Sequence, residues 1–123
     1  MFAGCTSLTT MPELPATTLT NYCYYGMFKG CTSLVTAEEL PATTLASSCY
    51  NNMFEGCTSL VTAPDILATP PLANYCFEGI FKNCTSLTSN IPNLSIFTTL
   101  ADYCYEEMFS GCSSLVYAPR LPA

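Results

Sequence analysis

Met53-Phe54-Glu55-Gly56-Cys57-Thr58-Ser59-Leu60 is one copy of a string that returns along the whole chain. The other copies begin at Met1, Met27, Ile80 and Met108, and the one at Ile80 reads Ile-Phe-Lys-Asn-Cys-Thr-Ser-Leu. Successive copies lie 26, 26, 27 and 28 residues apart. A period of that size marks stacked units, each of which buries its apolar face only against the next. The 123 residues therefore read as a single array, residues 1-123, with units starting near 1, 27, 53, 80 and 108. Met1 stands where Met27 and Met53 stand in their units, so the array is expected to be part of a longer one, with further repeats or a capping partner at both ends.

Alignment on this string places Leu19, Leu45, Leu72 and Leu100 in one column. Cys23, Cys49, Cys76 and Cys104 follow four residues later, and Met27, Met53, Ile80 and Met108 four later again. An apolar series at i, i+4 and i+8 predicts a helix face. It is widened by the aromatic column Tyr24, Tyr50, Phe77, Tyr105 and by the column Phe28, Phe54, Phe81, Phe109. Paired threonines such as Thr17-Thr18 and Thr43-Thr44 sit where an N-cap belongs, and Gly30, Gly56, Asn83 and Gly111 where a left-handed C-cap belongs. The spacing predicts helices over about 19–29, 45–55, 72–82 and 100–110. Between them run segments such as Leu34-Val35-Thr36-Ala37-Glu38-Glu39-Leu40, with proline close by, which predict short strands that stop early. The expected fold is an α/β repeat solenoid: a right-handed coil with a short-stranded parallel sheet on one face and short helices on the other.

Half of the residues are hydrophobic and 12% aromatic, enough for a core. Nine acids face only Lys29, Lys82 and Arg120, leaving a net charge of -6, so nucleic acid is not an expected partner. The sequence holds no run of eighteen apolar residues, and direct membrane insertion is not expected. It also holds no histidine, which removes Ser-His and Cys-His catalysis, and no phosphate-cradling glycine loop. The reading is non-enzymatic and without cofactor.

The nine cysteines fall in two columns, five in the repeated string (Cys5, Cys31, Cys57, Cys84, Cys112) and four in the predicted helices. Eight helical residues span about 12 Å, beyond the ~7 Å Cα separation a disulfide tolerates, so a bridge within a unit is not expected. Zinc prefers closely spaced cysteine pairs or histidine, and the chain offers neither. Buried structural thiols are the favoured reading, with inter-repeat disulfides and metal ligation as the alternatives.

One polar column stands out in the strand segments: Glu13, Glu39, Asp65, Asn93 and Arg120. Parallel strands stack equivalent positions about 4.8 Å apart, so these side chains are expected on one face, as the candidate binding face. A solvated acidic stripe, a weak calcium site and a recognition stripe for a basic partner are the readings it admits, calcium being short of oxygen ligands. Tyr22, Tyr75 and Tyr103 precede the helix cysteines and are expected to tuck against neighbouring units.

The apolar-Phe-x-Gly-Cys-x-Ser-Leu string, the short proline-bearing strand and the Thr-Thr-Leu start of the next segment together resemble the BspA-like leucine-rich repeat, over the whole chain. The resemblance implies an extracellular or cell-surface bacterial protein that adheres to a host or neighbouring-cell surface protein. The alternative is a structural spacer or assembly component of a larger extracellular particle with no ligand of its own.

Overall fold

The structure, a computed structural model, describes residues 2–116. Among these the α/β solenoid expectation fails at the helices. The only regular elements are two strands, β1 (Glu39–Leu40) and β2 (Asp65–Ile66), and none of the segments 19–29, 45–55, 72–82 or 100–110 is helical.

The backbone explains why. Every fourth residue of those segments is left-handed: Tyr22, Gly26 and Gly30 in one unit, Ser48, Asn52 and Gly56 in the next, then Tyr75, Gly79 and Asn83, and finally Tyr103, Glu107 and Gly111. A helix needs an unbroken right-handed run, and a left-handed residue at each fourth place replaces it with a chain of linked turns. The hydrogen bonds alternate accordingly. Met53, Glu55 and Cys57 donate their N–H groups back three residues, to Tyr50, Asn52 and Phe54, at 3.0–3.1 Å. Asn52, Phe54 and Gly56 donate instead to Glu78, Ile80 and Lys82 of the next unit, at 2.8–2.9 Å. The same alternation links the unit of Tyr22 to that of Ser47 and the unit of Tyr75 to that of Asp102. One set of bonds closes each turn, and the other ties the unit to its neighbour, so no buried N–H in the ribbon has to be abandoned.

The apolar period survives this change because a four-residue turn repeats side-chain direction as a helix turn nearly does. Cys49, Tyr50, Met53, Phe54 and Cys57 are all buried, as the helix face was to be. Leu100 departs from its column and is exposed, whereas Leu19 and Leu72 are buried. The paired threonines also change role: Thr43 N donates to Thr17 O at 2.9 Å and Thr69 N to Thr43 O at 3.0 Å, so they carry an inter-unit ladder where caps were expected.

The strand side is as narrow as the prolines require. β1 and β2 pair in parallel with Glu39 opposite Asp65 and Leu40 opposite Ile66. Single bridges extend the pairing through Thr10, Thr36, Thr62 and Ser89, and join Thr18 to Thr44.

Columns of aromatic side chains fill the interior. Phe2, Phe28, Phe54, Phe81 and Phe109 stack in order, with centroids 5.6–5.8 Å apart and planes within 16°. Tyr24, Tyr50, Phe77 and Tyr105 form a second stack at 5.9–6.3 Å. Offset stacking at this spacing contributes beyond the area buried.

The cysteine column has a polar function in this core. Cys31 Sγ donates to Phe2 O, Cys57 Sγ to Phe28 O, Cys84 Sγ to Phe54 O and Cys112 Sγ to Phe81 O, at 3.0–3.1 Å. Phe28 O already accepts Cys31 N, so the next unit's thiol occupies its second lone pair. All nine cysteines are free thiols. The helix-length reason for excluding bridges within a unit falls with the helices, and the thiols of Cys31, Cys57, Cys84 and Cys112 are held by these carbonyls instead.

Two thiols, Cys5 and Cys23, are exposed, and Cys112 is half-buried. In the folded chain Cys5 and Cys23 are expected to react first with a thiol reagent, and the other thiols to appear only on unfolding. Burial pushes the thiol of Cys49 up to about 11 and those of Cys57 and Cys76 up to about 12, from an ordinary value near 9. Below pH 9 both folded and unfolded thiols keep their protons, and this contribution to stability is complete. Between pH 9 and 12 the unfolded chain releases protons that the folded chain retains, so stability falls as pH rises. Urea midpoints at a series of pH values test this, and a midpoint unchanged from pH 8 to pH 11 contradicts the burial of these thiols.

Candidate binding surfaces

The strand segments bring most of the predicted polar column together. The Glu39–Asp65 register is direct, and the Thr10–Thr36 bridge sets the same 26-residue offset that relates Glu13 to Glu39. Glu13, Glu39 and Asp65 are exposed and line one groove of about 700 Å³, walled by Pro12, Pro15 and Pro41. Glu38 lines it too. Sequence reasoning passed over Glu38, although its place beside Glu39, between buried Ala37 and buried Leu40, marks a two-residue excursion to solvent.

Asn93 belongs to the column only loosely. Ser89 pairs with Thr62 at an offset of 27 residues, whereas Asn93 lies 28 beyond Asp65, so the lengthened unit moves it out of register. Its Oδ1 accepts Ser95 N at 3.0 Å and Ser95 Oγ at 2.7 Å, and it faces a separate cavity of about 340 Å³ that it shares with Asp65. Asp65 is held by Asn90, whose Nδ2 donates at 2.8 Å both to Asp65 Oδ1 and to Ala63 O. Asn90 is itself left-handed, a conformation that Asn tolerates better than most residues. Arg120 lies outside the described residues.

The tyrosines depart from their expected packing. Tyr22, Tyr75 and Tyr103 are exposed, at 63%, 37% and 55%, and each holds the first left-handed position of its ribbon. Tyr75 and Tyr103 stack with centroids 5.0 Å apart and planes 12° from parallel, and Tyr22 leans on exposed Tyr25 at 5.8 Å. In the unit between them the same position is Ser48, which is buried.

Among the described residues no group of three or more His, Cys, Asp or Glu side chains is arranged to hold a metal ion, so the groove acids do not converge on one point. No helix among them is long and apolar enough to cross a membrane. Compared with protein-family models, curated proteins and solved structures, the chain matches none.

Proposed function

We propose that this chain is a non-enzymatic protein-binding module, an adhesive segment of a cell-surface or secreted bacterial protein of the BspA-like kind, which takes a basic protein surface into the acidic groove. The observation that carries the reading is the register of Glu39 opposite Asp65, with Glu13 at the same offset, which lines up carboxylates from successive units in one open groove. None of these three side chains belongs to the core, so a binding face here can vary without cost to the stack. A proline-walled groove of one charge that runs across successive units suits an extended partner and makes attachment sensitive to salt.

The test is the triple charge reversal Glu13→Lys, Glu39→Lys and Asp65→Lys. The variant is expected to remain folded, since all three side chains are exposed and only Asp65 gives up a hydrogen bond, from Asn90 Nδ2. Adhesion of the purified protein to cells or to a basic protein surface is expected to fall by about tenfold or more. A variant that adheres as well as the parent overturns the reading, and one that unfolds shows the acids to be structural.

A further inference from the structure

A second surface lies on the turn ribbons, away from the strand segments that form the groove. Its centre is the exposed stack of Tyr75 and Tyr103, and its flanks are acidic. Glu78 follows Tyr75 within the same ribbon, and Asp102 and Glu106 bracket Tyr103 in the next. The two units are tied there by Tyr75 N donating to Asp102 O at 2.9 Å and by Asn74 Oδ1 accepting Asp102 N at 3.1 Å, so the ring pair rests on a fixed backbone.

Among the described residues these carboxylates form no ion pair. The described cationic side chains are Lys29, 3.3 Å from Glu55, and Lys82, 2.7 Å from Glu107, and both are already engaged. Glu78 receives only Asn51 Nδ2, at 2.8 Å, and among the described residues neither Asp102 nor Glu106 forms an ion pair. The negative field reaches the ring: desolvation raises the Tyr75 hydroxyl above its usual range, and Tyr103, Glu78, Asp102 and Glu106 raise it further. Two stacked aromatic rings set among carboxylates complement one chemistry well. A guanidinium lies flat on an aromatic face and offers a fork of donors to neighbouring carboxylates, whereas an ammonium is a more strongly hydrated point charge.

We infer that the Tyr75–Tyr103 edge, with Glu78, Asp102 and Glu106, is a docking site for an arginine-bearing peptide segment of a partner protein. The site is independent of the acidic groove, since it shares no residue with it and stands whether or not the groove binds.

The column supplies its own control. Ser48 holds the equivalent left-handed position at φ 55°, so serine is a residue this backbone already accepts there. The experiment uses the full chain, a short oligo-arginine peptide and an oligo-lysine peptide of equal length, with affinity measured by fluorescence anisotropy at low and moderate salt. Y75S/Y103S is expected to remain folded and to bind oligo-arginine about tenfold more weakly than the parent, which corresponds to two aromatic contacts of ordinary strength. Y75F/Y103F keeps the rings and is expected to retain the affinity. Oligo-lysine is expected to bind the parent more weakly than oligo-arginine and to respond less to the serine variant. Equal binding of oligo-arginine by the parent and Y75S/Y103S overturns the inference. So does a loss caused by the Glu13, Glu39 and Asp65 reversal and not by the tyrosine variant, which assigns the peptide to the groove. Tyrosine-dependent binding of a neutral oligosaccharide with no binding of the peptide overturns it as well. Failure of the groove variant to lose adhesion leaves this result unchanged, so the two readings fail separately.

Discussion

Phe54→Ala is expected to lower the free energy of unfolding by about 3 to 5 kcal/mol. Phe54 is fully buried in a central unit and stacks on Phe28 at 5.6 Å and on Phe81 at 5.8 Å, so its loss removes contacts to two neighbours at once. The cavity has little means of closing. Phe54 N is bonded to Ile80 O at 2.9 Å and Phe28 N to Met53 O at 2.9 Å, and these ladder bonds hold the adjacent units at their spacing. The backbone carbonyl of Phe54 still accepts Cys84 Sγ in the variant, so the loss is one of packing rather than of an orphaned polar group. Phe109→Ala, with one described stacking partner and a half-buried ring, is expected to cost less. Lys29→Ala breaks only a surface ion pair with Glu55 and is expected to cost ~0–1 kcal/mol. Urea denaturation of the three variants checks the order, and a Phe54→Ala loss no larger than that of Lys29→Ala contradicts the stacked core.

Gly79→Ala has an expected sign as well as a size. Within a helix, replacing an interior glycine by alanine stabilises by about 1 kcal/mol. In the linked-turn ribbon it is expected to destabilise by about 2 to 3 kcal/mol. Of this, about 1 to 2 kcal/mol comes from holding a Cβ-bearing residue left-handed, and roughly 1 kcal/mol from displacing the side chain of Asn52, whose Oδ1 lies where the new methyl must go. Gly79 has no freedom to escape toward right-handed φ. Its N–H donates to Glu106 O at 2.8 Å, and its carbonyl accepts Lys82 N at 3.0 Å. Gly26→Asn is the gentler comparison, because the nearest atom to a Cβ there is Lys29 Cβ at 3.9 Å and Asn tolerates this conformation. A thermal or urea midpoint that rises for Gly79→Ala contradicts the ribbon.

Those two residues also show why the sequence was only partly legible. The unit length, the columns of Phe, Leu and Cys, and the parallel register of Glu39 with Asp65 all follow from spacing, because stacked units place equivalent residues together whatever the local backbone does. The choice between helix and turn ribbon does not follow from apolar spacing, since a four-residue repeat serves both. The deciding signal was a second column, Gly26, Asn52, Gly79 and Glu107, glycine or asparagine in three of its four units, four residues before Gly30, Gly56, Asn83 and Gly111. A helix accepts glycine or asparagine once, at its end, and has no use for a second such residue one turn earlier. The third left-handed column hid better, being Tyr22, Ser48, Tyr75 and Tyr103, residue types that seldom adopt positive φ. On the strand side Glu13, Glu39 and Asp65 fell where their spacing put them, while Asn93 did not, because the extra residue of its unit lies between the Ser89 bridge and its own position.

Hydrogen-bond partners within residues 45–57 distinguish the two backbones most directly. Through-hydrogen-bond NMR couplings in isotopically labelled protein report which carbonyl each N–H contacts. The ribbon requires couplings from Phe54 N to the Ile80 carbonyl carbon and from Gly56 N to that of Lys82, with Met53 N coupled to Tyr50. A coupling from Phe54 N to the Tyr50 carbonyl carbon, four residues back, is the helical bond, and its presence without the inter-unit couplings would contradict the linked-turn stack.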